Sequence, residues 1–280
     1  MNIISKNHRY FRLAALFFTA CYSLTLSAKE TSVLSDNFSK ASVEEATASI
    51  RSETSWYGFT KGGGKLPTAK ETDLSGDTVS VLEFSAQSQQ TLIVAAFPAV
   101  DLKRPGDYLQ LSVEYRYLYL LKGMSPAFVV GLYDSGGAPL VTGDLRKDLD
   151  QAGAAGSNHV GFRLAKLPTD MTGDLQLDQV TGLGGLFPQT KIDTASSGLT
   201  LGPREMHQMT LRITLGENGN LVFNYGVDGV FQKYSTTAPL KVAITRFNEI
   251  SICPLGRGFE RGGSNFYIQL GKVKVVRGER

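Results

Sequence analysis

The segment MHQMTLRITLGENGNLVFNYGVDGVF, residues 206–231, is a β-hairpin legible from its pattern alone. In its first arm Met209, Leu211, Ile213 and Leu215 alternate with Gln208, Thr210, Arg212 and Thr214. Successive side chains of a strand point to opposite faces, so this period of two sets an apolar face against a polar one. Glu217-Asn218-Gly219-Asn220 then breaks the pattern with residues that tolerate positive φ. Leu221-Val222-Phe223-Asn224-Tyr225 resumes it, and Val227-Asp228-Gly229 supplies a second turn. Two alternating runs joined through Asn-Gly make the strongest short-range hairpin signal a sequence offers.

The same grammar extends outward in both directions. Runs at 79–84, 91–97, 108–120, 127–133, 160–167, 231–234, 242–247, 250–253 and 266–276 read as strands. In 108–120, Leu109, Leu111, Val113, Tyr115, Tyr117 and Tyr119 share a face that reads as core, and Ser112, Glu114 and Arg116 share the other. Two helical pieces are also expected. Ser42 and Glu45 have capping-box spacing ahead of 43–50, and 144–151 suits one amphipathic turn. Residues 169–197 read as a long Gly- and Asp-rich excursion. Roughly eleven to thirteen short strands with almost no helical periodicity predict an all-β, antiparallel β-sandwich (jelly roll) of two sheets. No internal repeat or low-complexity linker divides residues 29–280, which read as a single domain.

Residues 1–28 read as a secretory signal peptide: Lys6, Arg9 and Arg12 precede an apolar stretch, and Leu26-Ser27-Ala28 forms a small-residue cleavage site. Two alternatives stay open, a membrane-spanning helix and a lipid anchor at Cys21 in Phe18-Thr19-Ala20-Cys21. The expected destination is export, whether periplasmic, extracellular or cell-surface, with no membrane span after the leader is removed. Of the 29 Lys and Arg three sit in this leader, leaving 26 against 26 Asp and Glu. That balance, with no basic run, argues against nucleic-acid partners. Cys253 is the only cysteine after the leader, so no intramolecular disulfide forms and the core must supply stability. About 250 residues suffice for that.

Three segments carry a resemblance. Ser35-Asp36-Asn37-Phe38-Ser39 resembles the opening strand of many secreted jelly rolls. His207, Leu211 and the closing Val227-Asp228-Gly229 resemble a strand pair of laminin-G-like domains. Residues 265–275, NFYIQLGKVKV, resemble a terminal strand. Together they are similar to the concanavalin A-like lectin/glucanase superfamily. The resemblance implies that the last strand returns beside the first, and that the ligand is a carbohydrate. The Glu-x-Asp-x-x-Glu strand of the glucanase branch is absent. The Gln-x-His strand of the alginate-lyase-like branch is only echoed at Glu205-Met206-His207.

Other chemistries lack their residues. No Gly-x-Ser-x-Gly turn supports a serine hydrolase, and the Gly62-Gly63-Gly64 loop lacks phosphate-loop spacing. His159 and His207, expected at the surface or a strand edge, make no metal cage with one cysteine. No cofactor is expected, with a structural calcium left open at Asp144, Asp148 and Asp150, which do not follow EF-hand spacing. Sugar recognition needs aromatic faces and charged or amide side chains that bond hydroxyls in pairs. The candidates are Glu114 and Arg116 on one strand, Arg163 with His159 on another, and Trp56 beside Tyr57 as a stacking platform. A plainer reading of Trp56 is a core plug, and of Glu114 and Arg116 a solvated face of neighbouring strands. The expected function is non-catalytic polysaccharide binding. Two alternatives remain: a polysaccharide hydrolase or lyase with a displaced catalytic set, and a structural or adhesive envelope protein.

Overall fold

The structure is a computed structural model that describes residues 29–45, 49–59, 65–74, 76–85, 91–118, 127–137, 159–166, 172–181, 189–236, 244–255 and 268–280. The strands, in chain order, begin with β1 (Lys29–Asp36), β2 (Ser42–Glu44), β3 (Ser49–Arg51), β4 (Ser55–Phe59), β5 (Thr68–Leu74) and β6 (Asp77–Phe84). The middle holds β7 (Leu92–Asp101), β8 (Tyr108–Tyr117), β9 (Ala127–Asp134), β10 (Val160–Lys166), β11 (Leu175–Thr181) and β12 (Gln189–Ala195). The chain closes with β13 (His207–Leu215), β14 (Leu221–Val227), β15 (Val230–Ser235), β16 (Arg246–Leu255) and β17 (Ile268–Glu279). They form two antiparallel sheets. Sheet A runs β15-β14-β13-β8-β17-β6-β5 with β1 also on β17, and sheet B runs β12-β11-β10-β9-β16-β7-β4-β3-β2.

The seventeen strands among the described residues exceed the expected number because several are polar or very short. β11 and β12 lie within the stretch 169–197, read as an excursion, and β5 within an unassigned polar run. The helix expected across 43–50 is instead the hairpin β2–β3, in which Val43 faces Ile50 as a cross-strand pair. Two β-branched residues stack well on a pleat and lose side-chain freedom in a helix, so the capping spacing was overruled. Arg246 and Phe247 of the run 242–247 join the run 250–253 in β16 through a register shift between Phe247 and Glu249, while residues 242–243 lie outside the described residues. The helical turn at 144–151 and Tyr119 lie outside the described residues, as do the leader and the Gly62–Gly64 loop.

The organising hairpin is as read. Met209, Leu211 and Ile213 are wholly buried, and Leu221, Phe223, Tyr225 and Val227 meet them from β14. Gly219 closes the first turn at φ 73°, while Asp228 at 51° and Gly229 at 80° make the two-residue turn into β15. Both central residues have positive φ, the geometry whose twist matches a strand pair. Aromatic pairs join the two sheets: Tyr115 of β8 stacks on Phe128 of β9 at 4.9 Å, and Phe223 of β14 meets Phe162 of β10 edge-on at 4.8 Å. As the resemblance implied, β17 lies antiparallel to β1, from Lys29 opposite Glu279 to Asp36 opposite Val273.

Candidate functional site

Alternation along β8 sends Leu111, Val113 and Tyr115 inward, and Ser112, Glu114 and Arg116 onto the outer face of sheet A. Two depressions lie on this outer face. One, of about 260 Å³, is lined by Glu30, Gln110, Ser112, Glu114, Gln208, Lys272, Lys274 and Val276. The other, of about 400 Å³, is lined by Asn37 and Ser39 after β1, by Leu74, Thr78, Val79 and Ser80 of β5 and β6, and by Glu114, Met206, Gly271 and Lys272. Glu114 and Lys272 belong to both, so they form the waist of one longer groove. The waist exists because β17 bulges there: Leu270 is opposite Tyr115 but Val273 is opposite Val113. A bulge adds a residue and re-aims a side chain. Here it turns Lys272 out to solvent and sets Gly271 under the Glu114 side chain, where an added Cβ would sit 3.3 Å from Glu114 Oε2.

Arg116 does not face the groove freely. It is buried, its Nε donating to Gln269 Oε1 at 2.8 Å and its Nη2 to Thr72 Oγ1 at 2.7 Å. Gln269 Nε2 in turn donates to Glu83 Oε2 at 2.7 Å, and Lys70 pairs with the other Glu83 oxygen. This network ties β8, β17, β6 and β5 together beside the groove. Burial lowers the Arg116 pKa and the nearby Glu83 and Asp73 carboxylates oppose that. Its role is a brace, which corrects its assignment as a sugar contact.

Arg163 is on the far side of the molecule. It projects from β10 on the outer face of sheet B, 4% exposed, with Nε 2.8 Å from Asp178 Oδ2 of β11. Around it are Gln176, bonded to the second Asp178 oxygen, and Tyr133, whose hydroxyl accepts from Ser251 Oγ at 3.2 Å. His159 Nε2 lies 3.2 Å from Glu249 Oε1, with both residues fully buried. Gly131 and Gly161 make room for the Tyr133 ring, since a Cβ on Gly131 would fall 2.1 Å from its hydroxyl. Burial pushes the Tyr133 phenol and the Cys253 thiol each up to about 12. Glu114 and Arg116 on one sheet and His159 and Arg163 on the other therefore do not line one groove, because the outer faces of two stacked sheets look away from each other.

Trp56 is inside. Its ring is wholly buried and packs against Phe38 at 5.9 Å, and its Nε1 donates to Asp36 Oδ2 at 2.9 Å. With no exposed face it cannot stack a sugar, so the plug reading holds and the platform reading is corrected. Both histidines are buried as well, not at the surface: His207 is held between Asp228 Oδ2 at 2.7 Å and Gly202 O at 3.0 Å. Of the four predicted contacts, Glu114 borders an open cavity formed by described residues. Lys272, Lys274 and Gln208 were missed. Their outward orientation was legible, because Lys272 and Lys274 alternate with Val273 and Val275. That β17 lies beside β8 was not. Among the described residues no group of three or more His, Cys, Asp or Glu could hold a metal ion. No helix among them is long and apolar enough to cross a membrane.

No protein-family model matches the chain, and no curated protein matches its sequence. Solved structures do resemble it in shape. The Emp47p carbohydrate recognition domain aligns at 12% identity and a TM-score of 0.49, covering 90% of this chain and 98% of that one. A carbohydrate esterase of the Shiga toxin-encoding bacteriophage phi24B aligns at 13% identity and 0.47, covering 90% and 100%. Basic winged bean lectin aligns at 8% identity and 0.46, covering 89% and 98%. These are likenesses of fold. At such scores and identities they say nothing of this chain's ligand or chemistry.

Proposed function

We propose that the protein is an exported, non-catalytic binder of polysaccharide, and that the ligand lies in the groove on the outer face of sheet A. The observation that carries this reading is the open groove itself. Its lining offers two carboxylates, two ammonium groups, two amides and a hydroxyl in the depression that holds Glu30, Gln110, Ser112, Glu114, Gln208, Lys272 and Lys274. Such groups make the paired hydrogen bonds that sugar hydroxyls require.

Spacing argues against hydrolysis in this groove. Glu30 and Glu114 both line it, but β-sheet register puts Glu30 level with Tyr108 across β17. Tyr108 is six residues from Glu114 along β8, about 20 Å at 3.3 Å per residue. Glycosidase carboxyl pairs stand about 5–10 Å apart. The buried polar set on sheet B is closed to a polymer: His159, Asp178 and Glu249 have no exposed surface. A protein-contact role would rest on Val230 and Phe231 of the edge strand β15, the large apolar side chains exposed among the described residues. Two residues fall short of the several hundred Å² that mark an interaction patch.

Native electrophoresis in gels cast with a panel of soluble polysaccharides tests the reading. At least one polysaccharide is expected to retard the protein. Glu114→Ala is expected to weaken that binding about tenfold, the effect of removing one charge-assisted hydrogen bond. Equal retardation of wild type and variant would move the site elsewhere, and no retardation across the panel would end the glycan-binding reading.

A further inference from the structure

The sheet A groove holds two lysines that no carboxylate of the described residues pairs with. Among the described residues Arg51, Lys70, Arg163 and Arg246 each lie within ion-pair distance of a carboxylate. Lys272 and Lys274 do not. Both are exposed, both line the groove, and neither takes part in an ion pair. Beside them Arg212 of β13, opposite Gln110 of β8, lays its guanidinium 3.4 Å over the Tyr108 ring, where it is held by cation–π attraction. Arg212 stands outside the lining, which sets two carboxylates, Glu30 and Glu114, beside the two lysines; Glu30 already accepts from the Tyr108 hydroxyl.

The two lysines also stand on one face, two residues apart on either side of Val273. Same-face neighbours at that spacing on one strand are about 7 Å apart, a distance at which two ammonium groups repel. An anion seated between them would remove that repulsion and take charge-assisted bonds from both ammonium groups. Gln110, Gln208 and Ser112 in the same lining suit the neutral hydroxyls that flank a sugar's acidic group.

We infer that the ligand of this groove is an acidic polysaccharide, one carrying carboxylate or sulfate groups, with Lys272 and Lys274 as its charge contacts. This rests on the glycan-binding reading above and narrows it to a chemical class. Two matched pairs test it by affinity electrophoresis with the purified protein: polygalacturonate against its methyl ester, and dextran sulfate against dextran. Poly-L-glutamate serves as an acidic polymer without sugars. The expected result is retardation by at least one acidic member, at least about tenfold weaker with its neutral counterpart and with polyglutamate. The Lys272→Gln, Lys274→Gln double variant is expected to lose the acidic preference and its salt dependence, while its unfolding midpoint stays unchanged or rises.

Equal binding of acidic and neutral members would overturn the inference, as would polyglutamate matching the acidic glycan or a double variant that binds like wild type. Neutral glycans binding in a Glu114-dependent way, with both acidic members inert, would overturn it and leave the binder reading standing. Silence from the four glycans and from the wider polysaccharide panel would remove both.

Discussion

Asp36 shows how one side chain positions several others. Its carboxylate accepts from the Phe38 amide at 2.8 Å, Ser52 Oγ at 2.7 Å, the Thr54 amide at 3.1 Å and Trp56 Nε1 at 2.9 Å. These bonds hold Phe38 at φ 57°, a left-handed conformation that costs a bulky residue free energy. In return the Phe38 ring turns inward onto Trp56. Trp56→Phe removes a charge-assisted bond and leaves space beside Phe38, so it is expected to cost about 3 kcal/mol. Urea unfolding should show the loss, while retardation by glycan should be unchanged. A variant of normal stability and lost binding would restore Trp56 as a ligand contact. The motif around Asp36 was visible in sequence as an opening strand, but three of its four donors come from the distant stretch 52–56, so only the fold reveals the carboxylate as a hub.

Among the elements, the hairpin pair β13–β14–β15 was the most legible because each of its signals is local. Alternation sets the faces, and Asn218-Gly219 and Asp228-Gly229 set the turns. Gly226 adds a constraint that alternation does not show. A Cβ there would fall 2.1 Å from the Val230 carbonyl oxygen, which is backbone and cannot swing aside. Gly226→Ala is expected to destabilise the protein by about 2 kcal/mol or more, read as a lowered urea midpoint. An unchanged midpoint would show that β15 can peel away at no cost. Two of the strands that escaped sequence reading, β5 and β12, are edge strands with charged residues such as Lys70, Glu71, Lys191 and Asp193. Edges are protected by such charges, and the protection erases the apolar alternation that reveals a strand. β11 kept its alternation in Leu175 and Leu177, but Gly and Asp on either side hid it.

At the scale of the molecule, the chain is closed by its ends. β1 and β17 pair along their length, and Asp107, in the turn before β8, ties this end of the sandwich. Its carboxylate accepts from the amides of Lys103, Arg104 and Arg280 at 3.1, 2.9 and 3.2 Å. Burial acts to raise the Asp107 pKa, but these donors and the Arg104 charge outweigh it, and the net shift is downward. A folded pKa below the unfolded value of about 3.9 contributes stability that is present above that pH. It is lost as pH falls through the depressed folded value. Asp107→Asn is therefore expected to lower stability at pH 7, with the gap from wild type closing below about pH 3.9. A gap that stays constant across the acid limb, measured by urea unfolding at stepped pH, would rule out this linkage.

The amino-acid sequence by itself determined the all-β class, the central hairpin and the inward faces of β8, β13 and β14; the return of the last strand beside the first was implied only by a family resemblance. Period-two patterning and turn chemistry are local, and short windows record them. Tertiary structure alone decided the site. Glu114 and Lys272 are far apart in sequence and meet because β17 inserts next to β8 and bulges there. Arg163 resembles Glu114 and Arg116 in sequence, as a polar residue alternating with apolar ones, yet lies on the opposite surface because β10 belongs to the other sheet. Alternation says that a side chain faces away from the core. It carries no information about which of the two outer faces that is, or what stands beside it, since strand order comes from long-range pairing.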